Sequence, residues 1–202
     1  MSDIAYGALT PVDISVLESV LSCYYNPNHE PDGIPHYRIL EIGIYEGKTA
    51  QGIKAFMDQR GAKLDYWGID SGAICSPKPP FEGAHLIIGD SAESSHLVPD
   101  DFDIILMDGC HCLNHVMLEL IHYAPKVVLN GFILLHDISP EIQHKMKDPH
   151  GEGIPEFQSA VNKAIGMVGF PFLGWELWRK DWLPGCAYGG MAAYRKTYGT
   201  KN

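Results

Sequence analysis

Acids and histidines able to hold a metal ion or move a proton stand at two places in the chain. The first is the run Asp108-Gly-Cys-His-Cys-Leu-Asn-His115, and the second is the pair His136-Asp137. Each follows a short apolar segment typical of a buried strand. The ends of neighbouring parallel strands lie about 4.8 Å apart and can share one ion. Asp108 and Asp137 would offer the oxygen ligands that Mg²⁺ takes, whereas the imidazole of His136 is better suited to Zn²⁺, Mn²⁺ or iron.

Two histidines each have a catalytic or ligand role and a structural alternative. His111 stands three residues after Asp108, within reach of a ligand bound at that strand end. An imidazole that titrates near neutral pH could take a proton from a substrate hydroxyl. The structural alternative is that His111 caps the following helix and that His136 is a buried, hydrogen-bonded residue.

The cysteines form no recognisable metal or disulfide framework. A zinc site can be drawn through Cys110, His111, Cys112 and His115. Adjacent residues in a strand-to-helix turn diverge, however, and no second C-x-x-C-type pair completes a tetrahedral set. The chain has five cysteines, an odd number without framework spacing. We expect them to be reduced thiols of a cytoplasmic protein.

A glycine-containing turn follows the first predicted strand, within Arg38-Ile-Leu-Glu-Ile-Gly-Ile-Tyr-Glu-Gly-Lys-Thr49. The apolar run that ends at Ile42 predicts a strand, and the residues from Thr49 to Gln59 predict a helix. A strand, a tight turn and a helix start bring backbone N–H groups and a helix N-terminus close to a ligand.

The spacing of the glycines argues against the two common nucleotide turns. A dinucleotide-binding turn needs G-x-G-x-x-G, and Tyr45 stands where its middle glycine would be. A Walker A loop would need a glycine in place of Ile42, so this loop is one residue too short. Glu41 would also repel a triphosphate. The pattern that remains, E-x-G-x-x-x-G-x-T, suits a ligand that carries an amino group and a carboxylate.

Acids stand at the ends of four of the five strands predicted in the first two thirds of the chain: Asp70, Asp90, Asp108 and Asp137. In a doubly wound sheet, the carboxyl ends of the strands form the ligand crevice. Asp70 follows the glycine turn by about 20 residues, where a carboxylate commonly accepts the hydroxyl groups of a ribose. Its alternative role is to cap the end of its own strand.

The elements that must position these residues alternate between strands and helices. This rhythm predicts an α/β fold, Rossmann-like and doubly wound, with a mostly parallel seven-stranded sheet and an antiparallel C-terminal hairpin. An amphipathic helix over 12–25 is expected to pack on the sheet or on a partner subunit. We predict one domain over 1–202, with an N-terminal helix and loop (1–36), a cofactor-binding core (37–137), a lid loop (138–153), and a C-terminal helix (154–168) and hairpin (strands 172–178 and 190–195).

Charge and hydropathy limit the class of partner. The chain has 15 Lys and Arg against 25 Asp and Glu, which gives a net charge of −10. An acidic chain without a basic cluster is a poor candidate for binding nucleic acid, so a small-molecule substrate is expected. The first residues lack the features of a signal peptide, and no apolar run approaches the roughly 20 residues that span a membrane.

The chain resembles the class I S-adenosylmethionine-dependent methyltransferases over nearly its whole length. The block Asp108-Gly-Cys-His and Asn130-Gly-Phe-Ile-Leu-Leu-His-Asp137 is similar to a narrower branch, typified by macrocin O-methyltransferase and the cephalosporin-hydroxylase-like proteins. The resemblance implies S-adenosylmethionine bound by Glu41, Gly43, Tyr45, Gly47, Thr49, Asp70, Asp90, Ser91 and Asp108. It also implies a divalent metal, usually Mg²⁺, held by Asp108, His136 and Asp137, with His111 as the base. The implied reaction is methyl transfer to a hydroxyl of a small molecule, by a monomer or a homo-oligomer.

Two positions depart from that branch, and three alternatives remain. Asn130-Gly131 replaces a pair of glycines, which a turn tolerates, and His136 stands where an acid often precedes the last Asp. A P-loop-like kinase or NTPase would use Gly47-Lys48-Thr49. A nicotinamide oxidoreductase would need a glycine at position 45. A non-catalytic cofactor-binding module of the same fold would lack a working metal site.

Overall fold

The computed structural model describes residues 4–24, 33–74, 76–139, 160–168, 174–185 and 189–198. Within them, seven strands form one sheet in the order β3-β2-β1-β4-β5-β7-β6. The strands are β1 (His36–Ile42), β2 (Lys63–Asp70), β3 (His85–Ile88), β4 (Phe102–Met107), β5 (Val127–His136), β6 (Trp175–Asp181) and β7 (Met191–Lys196). The first five pair in parallel, and β7 runs antiparallel to both β5 and β6. The predicted fold class, with its C-terminal hairpin at the sheet edge, is confirmed.

Helices cover both faces of the sheet. Among the described residues they are α1 (Pro11–Cys23), α2 (Lys48–Gln59), α3 (Leu113–Tyr123) and α4 (Ala160–Met167). Leu17 of α1 and Ile53 of α2 are buried in one hydrophobic cluster. Leu120 of α3 and Ala164 of α4 are buried in a second cluster. Both clusters include residues of the central strands, as a doubly wound sheet requires, so α1 packs on the sheet as predicted.

The central strands alternate between these two clusters. In β4, Ile104 and Leu106 pack with α1 and α2, whereas Ile105 and Met107 pack with α3 and α4. All residues of β4 are buried, because successive side chains point to opposite faces and both faces are covered. This packing fixes the end of β4 and therefore the position of Asp108.

The strand β5 was predicted from two apolar segments, 127–129 and 131–137, taken together as the fifth strand. It is one strand, Val127–His136, with an irregular register against β4 near its start. Asn130 has a φ of 67°, a left-handed conformation that Asn tolerates better than most residues. A Cβ on Gly131 would lie 2.7 Å from the carbonyl oxygen of Asp103. The Asn130-Gly131 pair thus lets the strand deform and still continue to His136.

Several predicted boundaries shift or lie outside the described residues. Helix α1 ends at Cys23, and β6 covers Trp175–Asp181 instead of 172–178. Most of the predicted lid (140–153) and the first part of the predicted C-terminal helix (154–159) lie outside the described residues. The division of the chain into its predicted regions stays a prediction. In the described part of the chain, no helix has the length and hydropathy needed to cross a bilayer.

Candidate active site

Four polar side chains converge at the carboxyl edge of the sheet, just beyond β4 and β5. The Nδ1 atom of His136 lies 2.8 Å from Oδ1 of Asp108 and 3.6 Å from Oδ1 of Asp137. The Nε2 atom of His111 lies 2.9 Å from Oδ2 of Asp137 and 3.7 Å from Oδ1 of Asp108. One ligand atom from each of the four residues lies within 4.8 Å of the others. The structure therefore brings together the residues singled out for metal and proton chemistry.

The register of β4 and β5 explains this convergence. Met107 and Leu135 are partners in the parallel pairing, so the residues that follow them leave the sheet side by side. The N–H of Asp108 donates to the carbonyl of Ile42 at 2.8 Å, which extends the pairing with β1. Asp137 has a φ of 55°, so the chain turns sharply after β5. Asp is one of the few residues besides Gly that tolerate this conformation.

A second layer of contacts supports the cluster from behind. The Nε2 atom of His136 lies 3.2 Å from Oδ2 of Asp13, a fully buried residue of α1. The N–H of Gly189 donates to Oδ1 of Asp137 at 2.7 Å, and the N–H of Gly190 donates to Oδ1 of Asp13 at 2.9 Å. The start of α1 and the turn before β7 therefore hold two of the converging side chains.

Charges of opposite sign within the cluster stabilise one another. Burial opposes ionisation, yet the neighbouring imidazoles lower the pKa of both Asp108 and Asp137. Burial also opposes a charge on His111, but the neighbouring carboxylates of Asp108 and Asp137 raise its pKa to about 10. Asp108 and Asp13 raise the pKa of His136 well above its ordinary value despite burial. Both imidazole rings are therefore protonated and positively charged at neutral pH in the free protein.

The donor atoms of the cluster fit a single divalent ion. Two carboxylates and two imidazoles within 4.8 Å of one another can provide ligands to one ion. Mixed oxygen and nitrogen donors suit Zn²⁺, Mn²⁺ or iron, whereas Mg²⁺ prefers oxygen alone. A coordinating imidazole must be neutral, so metal binding would displace the proton that links His136 to Asp108. Asp108, His136 and Asp137 could hold the ion, with His111 beside it.

The glycine turn lies against the end of β4. Gly43 and Gly47 have φ values of 87° and 74°, in the region that favours glycine. A Cβ on Gly43 would lie only 2.2 Å from the carbonyl oxygen of Asp108. Gly47 is the N-cap of α2, and no side chain caps that helix. Backbone N–H groups of its first turn are therefore placed to meet a ligand.

Asp70 supports this turn through its carboxylate. Its Oδ2 accepts hydrogen bonds from the N–H groups of Ile44 and Tyr45, both at 2.9 Å, and its Oδ1 accepts one from Gly72 at 2.7 Å. The capping role considered as the alternative is thus present, and the ribose contact stays a prediction. Tyr45 is half exposed and borders a cleft of about 280 Å³, lined by Tyr45, Glu46, Gln51, Ser76, Lys78, Pro79 and Pro80.

The start of α2 does not resemble a phosphate site. The Nζ atom of Lys48 pairs with Glu46 at 2.6 Å on the protein surface. The hydroxyl of Thr49 donates to the carbonyl of Tyr6 at 3.3 Å, towards the N-terminal segment. Lys48 is paired with a carboxylate of the turn itself and Thr49 faces away from the turn, which disfavours the kinase or NTPase alternative. The predicted cofactor role of Thr49 is not reflected in its present contact and stays a prediction.

The turn after β3 is tied to α3. Oδ2 of Asp90 lies 3.1 Å from Nε2 of His115, and the hydroxyl of Ser91 donates to Glu119. Hydrogen bonds with Cys110 and Glu119 raise the pKa of His115 to about 11. Among the described residues, the cluster beyond β4 and β5 is the one group able to hold a metal, so the cysteine zinc site gains no support. The cofactor roles of Asp90 and Ser91 stay predictions.

Glu41 lies inside the protein, where its carboxyl accepts a hydrogen bond from the hydroxyl of Tyr66. It is 1% exposed, and burial raises its pKa to about 8, with Asp108 and Asp70 acting in the same direction. The carboxyl is therefore protonated at neutral pH. A protonated carboxyl is a weaker partner for an amino group than a carboxylate. The predicted cofactor contact of Glu41 stays a prediction.

We predict that Glu41→Gln stabilises the protein at neutral pH and that the gain grows as pH rises. The unfolded chain releases this proton near the ordinary pKa of 4.5, whereas the folded protein keeps it to about 8. Stability of the wild type therefore falls between these values, by about 1.4 kcal/mol per pH unit from this group. Gln keeps an acceptor for Tyr66 but does not ionise. Urea unfolding from about pH 5 to about pH 8 measures the difference, with exposed Glu93→Gln as control. The same pH dependence in Glu41→Gln as in the wild type would contradict the assignment.

Four residues of this region were not predicted from the sequence: Asp13, Tyr66, Gly189 and Gly190. Thr10 and Asp13 form a capping box, a pattern visible in the sequence that indicates a helix start but not a contact with His136. A glycine pair ahead of a strand indicates an unusual turn, without indicating what the turn contacts. Both sequence signals are local, whereas the contacts that these residues make are with residues distant in the chain.

Comparison with known proteins identifies the central part of the chain. Residues 40–138 match the sequence model of a family described as a methyltransferase domain. This core is a methyltransferase domain. It contains the glycine turn, Asp70, Asp90 and all four residues that converge beyond β4 and β5. No curated protein sequence matches the chain.

Several solved structures share its fold, including described methyltransferases. TrmN from Thermus thermophilus is 15% identical, with a TM-score of 0.56 over 94% of this chain and 50% of that one. MycE from the mycinamycin biosynthetic pathway, in complex with Mg and SAH, is 18% identical, with a TM-score of 0.60 over 98% and 52%. The O-methyltransferase NovP is 15% identical, with a TM-score of 0.56 over 95% and 84%. The chain thus spans about half the length of the first two. Likeness at these identities shows the fold alone.

Proposed function

We propose that the chain is an S-adenosylmethionine-dependent methyltransferase that methylates a hydroxyl oxygen of a small molecule with the help of a divalent metal. The observation that carries this proposal is the convergence of Asp108, His111, His136 and Asp137 beside the glycine turn of a methyltransferase domain. Gly43 joins the two features, because a side chain at this position would collide with the backbone of Asp108. A cofactor on the turn and a substrate at the cluster would therefore be neighbours.

The glycine turn and the adjacent strand ends are the proposed cofactor site. S-adenosylmethionine, when bound, supplies a methyl group on a positively charged sulfur. Asp70 and Asp90 stand at neighbouring strand ends, and their negative charge favours a cationic ligand. The hydrogen bonds from Ile44 and Tyr45 fix the carboxylate of Asp70 in the turn before any ligand arrives.

Asp108, His136 and Asp137 are the residues placed to hold the metal. A bound divalent ion supplies a Lewis acid that lowers the pKa of a nearby hydroxyl. The nitrogen donor of His136 favours Mn²⁺, Zn²⁺ or iron more than an all-oxygen site would, although Mg²⁺ is the ion that the sequence resemblance implies. The carboxylates are kept ionised by their imidazole neighbours, as a metal ligand must be.

His111 is the proposed base. Its side chain is 30% exposed, whereas its Nε2 atom is buried and lies 2.9 Å from Oδ2 of Asp137. In the free protein its pKa of about 10 keeps it protonated, and a protonated imidazole accepts nothing. His111 can act as a base only when another cation neutralises Asp108 and Asp137, because these carboxylates would then no longer raise the pKa of His111. Proton acceptance by His111 is thereby coupled to occupancy of the proposed metal site.

Two solved relatives support oxygen as the acceptor atom and a metal as the helper. MycE was solved with Mg and SAH, and NovP is described as an O-methyltransferase. The acidic net charge of −10 supports a small-molecule acceptor over nucleic acid. The alternative is a non-catalytic module that binds the cofactor without a metal, and the following experiment distinguishes it from an enzyme.

The proposal predicts methyl transfer that depends on a divalent metal. S-adenosylmethionine labelled in its methyl group is incubated with sugar, catechol and polyketide hydroxyl compounds, in the presence of Mg²⁺, Mn²⁺, Zn²⁺ or EDTA. We expect a new methyl ether and no transfer in EDTA. Asp137→Asn should weaken metal binding by at least about tenfold, whereas the exposed variant Asp100→Asn should not. Transfer that persists in EDTA, or a product methylated on nitrogen, would count against the proposal.

A further inference from the structure

The N-terminal helix contributes a buried carboxylate to the back of the candidate active site. Asp13 has no exposed surface, and its Oδ2 lies 3.2 Å from Nε2 of His136. The same oxygen accepts hydrogen bonds from the backbone N–H and the hydroxyl of Thr10, at 2.8 and 2.7 Å. The other oxygen accepts the N–H of Gly190 at 2.9 Å. Both oxygens of this carboxylate therefore have partners that donate to it.

These contacts fix one side of the His136 ring. The imidazole has two nitrogens. Because the Asp13 carboxylate holds Nε2, the other nitrogen, Nδ1, faces the cluster. Nδ1 is the atom that lies 2.8 Å from Asp108 and 3.6 Å from Asp137. The orientation of His136 towards the cluster thus depends on a residue 123 positions away in the chain.

The turn before β7 acts on the same pair of side chains. Gly189 donates to Asp137 and Gly190 donates to Asp13, so one short turn holds both carboxylates. Gly189 has a φ of 84°, and a Cβ there would lie 3.1 Å from Thr10 and 3.2 Å from Asp13. This close approach joins the start of α1, the end of β5 and the turn before β7 into one assembly.

We propose that Asp13 is a positioning residue that orients His136 so that its Nδ1 atom is presented to the metal site. The presence of a metal in this proposal rests on the proposed function. The orientation of the His136 ring does not, because the ring already has it in the free protein. Asp13 does not touch the reacting atoms. It acts through His136, as carboxylates behind metal-bound histidines commonly do.

Asp13→Asn tests this role with little change in shape. All the groups that face the Asp13 carboxylate are donors, so the amide NH₂ of Asn would face a backbone N–H at either position. An NH₂ at the position of Oδ2 would pair with His136 only if the ring presents a lone pair at Nε2. That change would leave the proton on Nδ1, on the side of the metal site. We expect Mn²⁺ affinity to fall by about 10–100-fold, with unchanged affinity for S-adenosylhomocysteine. Isothermal titration measures both.

The matched control separates orientation from helix capping. Thr10→Ala removes the hydroxyl partner of Asp13 in the capping box but leaves the contact with His136 in place. It is expected to lower the unfolding temperature and to keep the wild-type Mn²⁺ affinity. Where Asp13→Asn fails to fold, Asp13→Glu replaces it, because a capping box accepts Glu at this position while the longer side chain moves the carboxylate relative to His136.

Ring ¹⁵N spectra of His136 in the metal-free protein provide the second readout. We expect the Nε2 signal to change in Asp13→Asn and to remain as in the wild type in Thr10→Ala. Unchanged ring signals and unchanged Mn²⁺ affinity in Asp13→Asn would overturn the positioning role. If the wild type binds no divalent ion, the metal part of the proposed function fails, and the ring signals alone decide the role of Asp13.

Discussion

His111→Ala is expected to slow methyl transfer by about 10²–10⁴-fold, the usual contribution of a general base. His111 is the histidine of the cluster with an exposed edge, and its Nε2 atom lies 2.9 Å from Asp137. Removing the ring takes away the proton acceptor but leaves the glycine turn and Asp70 in place. Affinity for S-adenosylhomocysteine should therefore remain that of the wild type. Labelled methyl transfer and isothermal titration measure the two effects separately.

His96→Ala is the matched control for this substitution. His96 is exposed on the short helical turn Glu93–Leu97, where its ring contacts the carbonyl of Glu93 at 2.9 Å. We expect wild-type turnover from this variant. Wild-type turnover in His111→Ala would exclude His111 as the base, whereas loss of cofactor affinity would show that the ring supports the cofactor site instead.

Gly43→Ala is expected to abolish cofactor binding and to destabilise the fold by about 3 kcal/mol or more. The added Cβ would lie 2.2 Å from the carbonyl oxygen of Asp108 and 2.6 Å from Cα of Gly109. These are backbone atoms, so no side-chain rotation relieves the contact. The turn and the end of β4 would have to separate, which would also displace the carboxylate of Asp108. Urea unfolding and titration with S-adenosylhomocysteine measure the two losses.

Gly61→Ala is the control that isolates the close approach. Gly61 also has a left-handed φ, 65°, but a Cβ there would meet no atom within 4 Å. It should cost only the conformational penalty of a left-handed alanine, about 1–2 kcal/mol, and leave cofactor binding intact. If Gly43→Ala binds S-adenosylhomocysteine as tightly as Gly61→Ala does, the glycine turn is not the cofactor site.

The sheet and its acidic edge could be predicted from the sequence because both leave local signals. A strand covered on both faces is a continuous apolar run, and β4 is followed directly by Asp108. Parallel strands present their carboxyl ends at one edge, so the pattern of strands alone predicts that Asp108 and Asp137 are neighbours. The contacts of Asp13 have no such signal, since its partner His136 is distant in the chain and belongs to another element.

For Glu41, the sequence prediction followed the cofactor motif and not the alternation of side chains along the strand. It belongs to the predicted cofactor motif, but side chains in a strand alternate between the two faces of the sheet. Leu40 and Ile42 pack on one face, so Glu41 shares the other face with Ile39. Buried there, it meets Tyr66 of β2. The alternation could have predicted this orientation, whereas the identity of its partner required the register between β1 and β2.

The glycine turn of this methyltransferase domain is proposed to bind S-adenosylmethionine beside a metal site. Thermal unfolding with S-adenosylhomocysteine, ATP or NAD, each with and without Mg²⁺ or Mn²⁺, tests it most directly. A ligand at a hundred times its Kd stabilises the folded state by about 2.7 kcal/mol, which shifts the unfolding temperature measurably. We predict a shift with S-adenosylhomocysteine alone and a further shift with the metal. A shift with ATP and Mg²⁺ only would contradict this claim and favour a nucleotide site at Lys48.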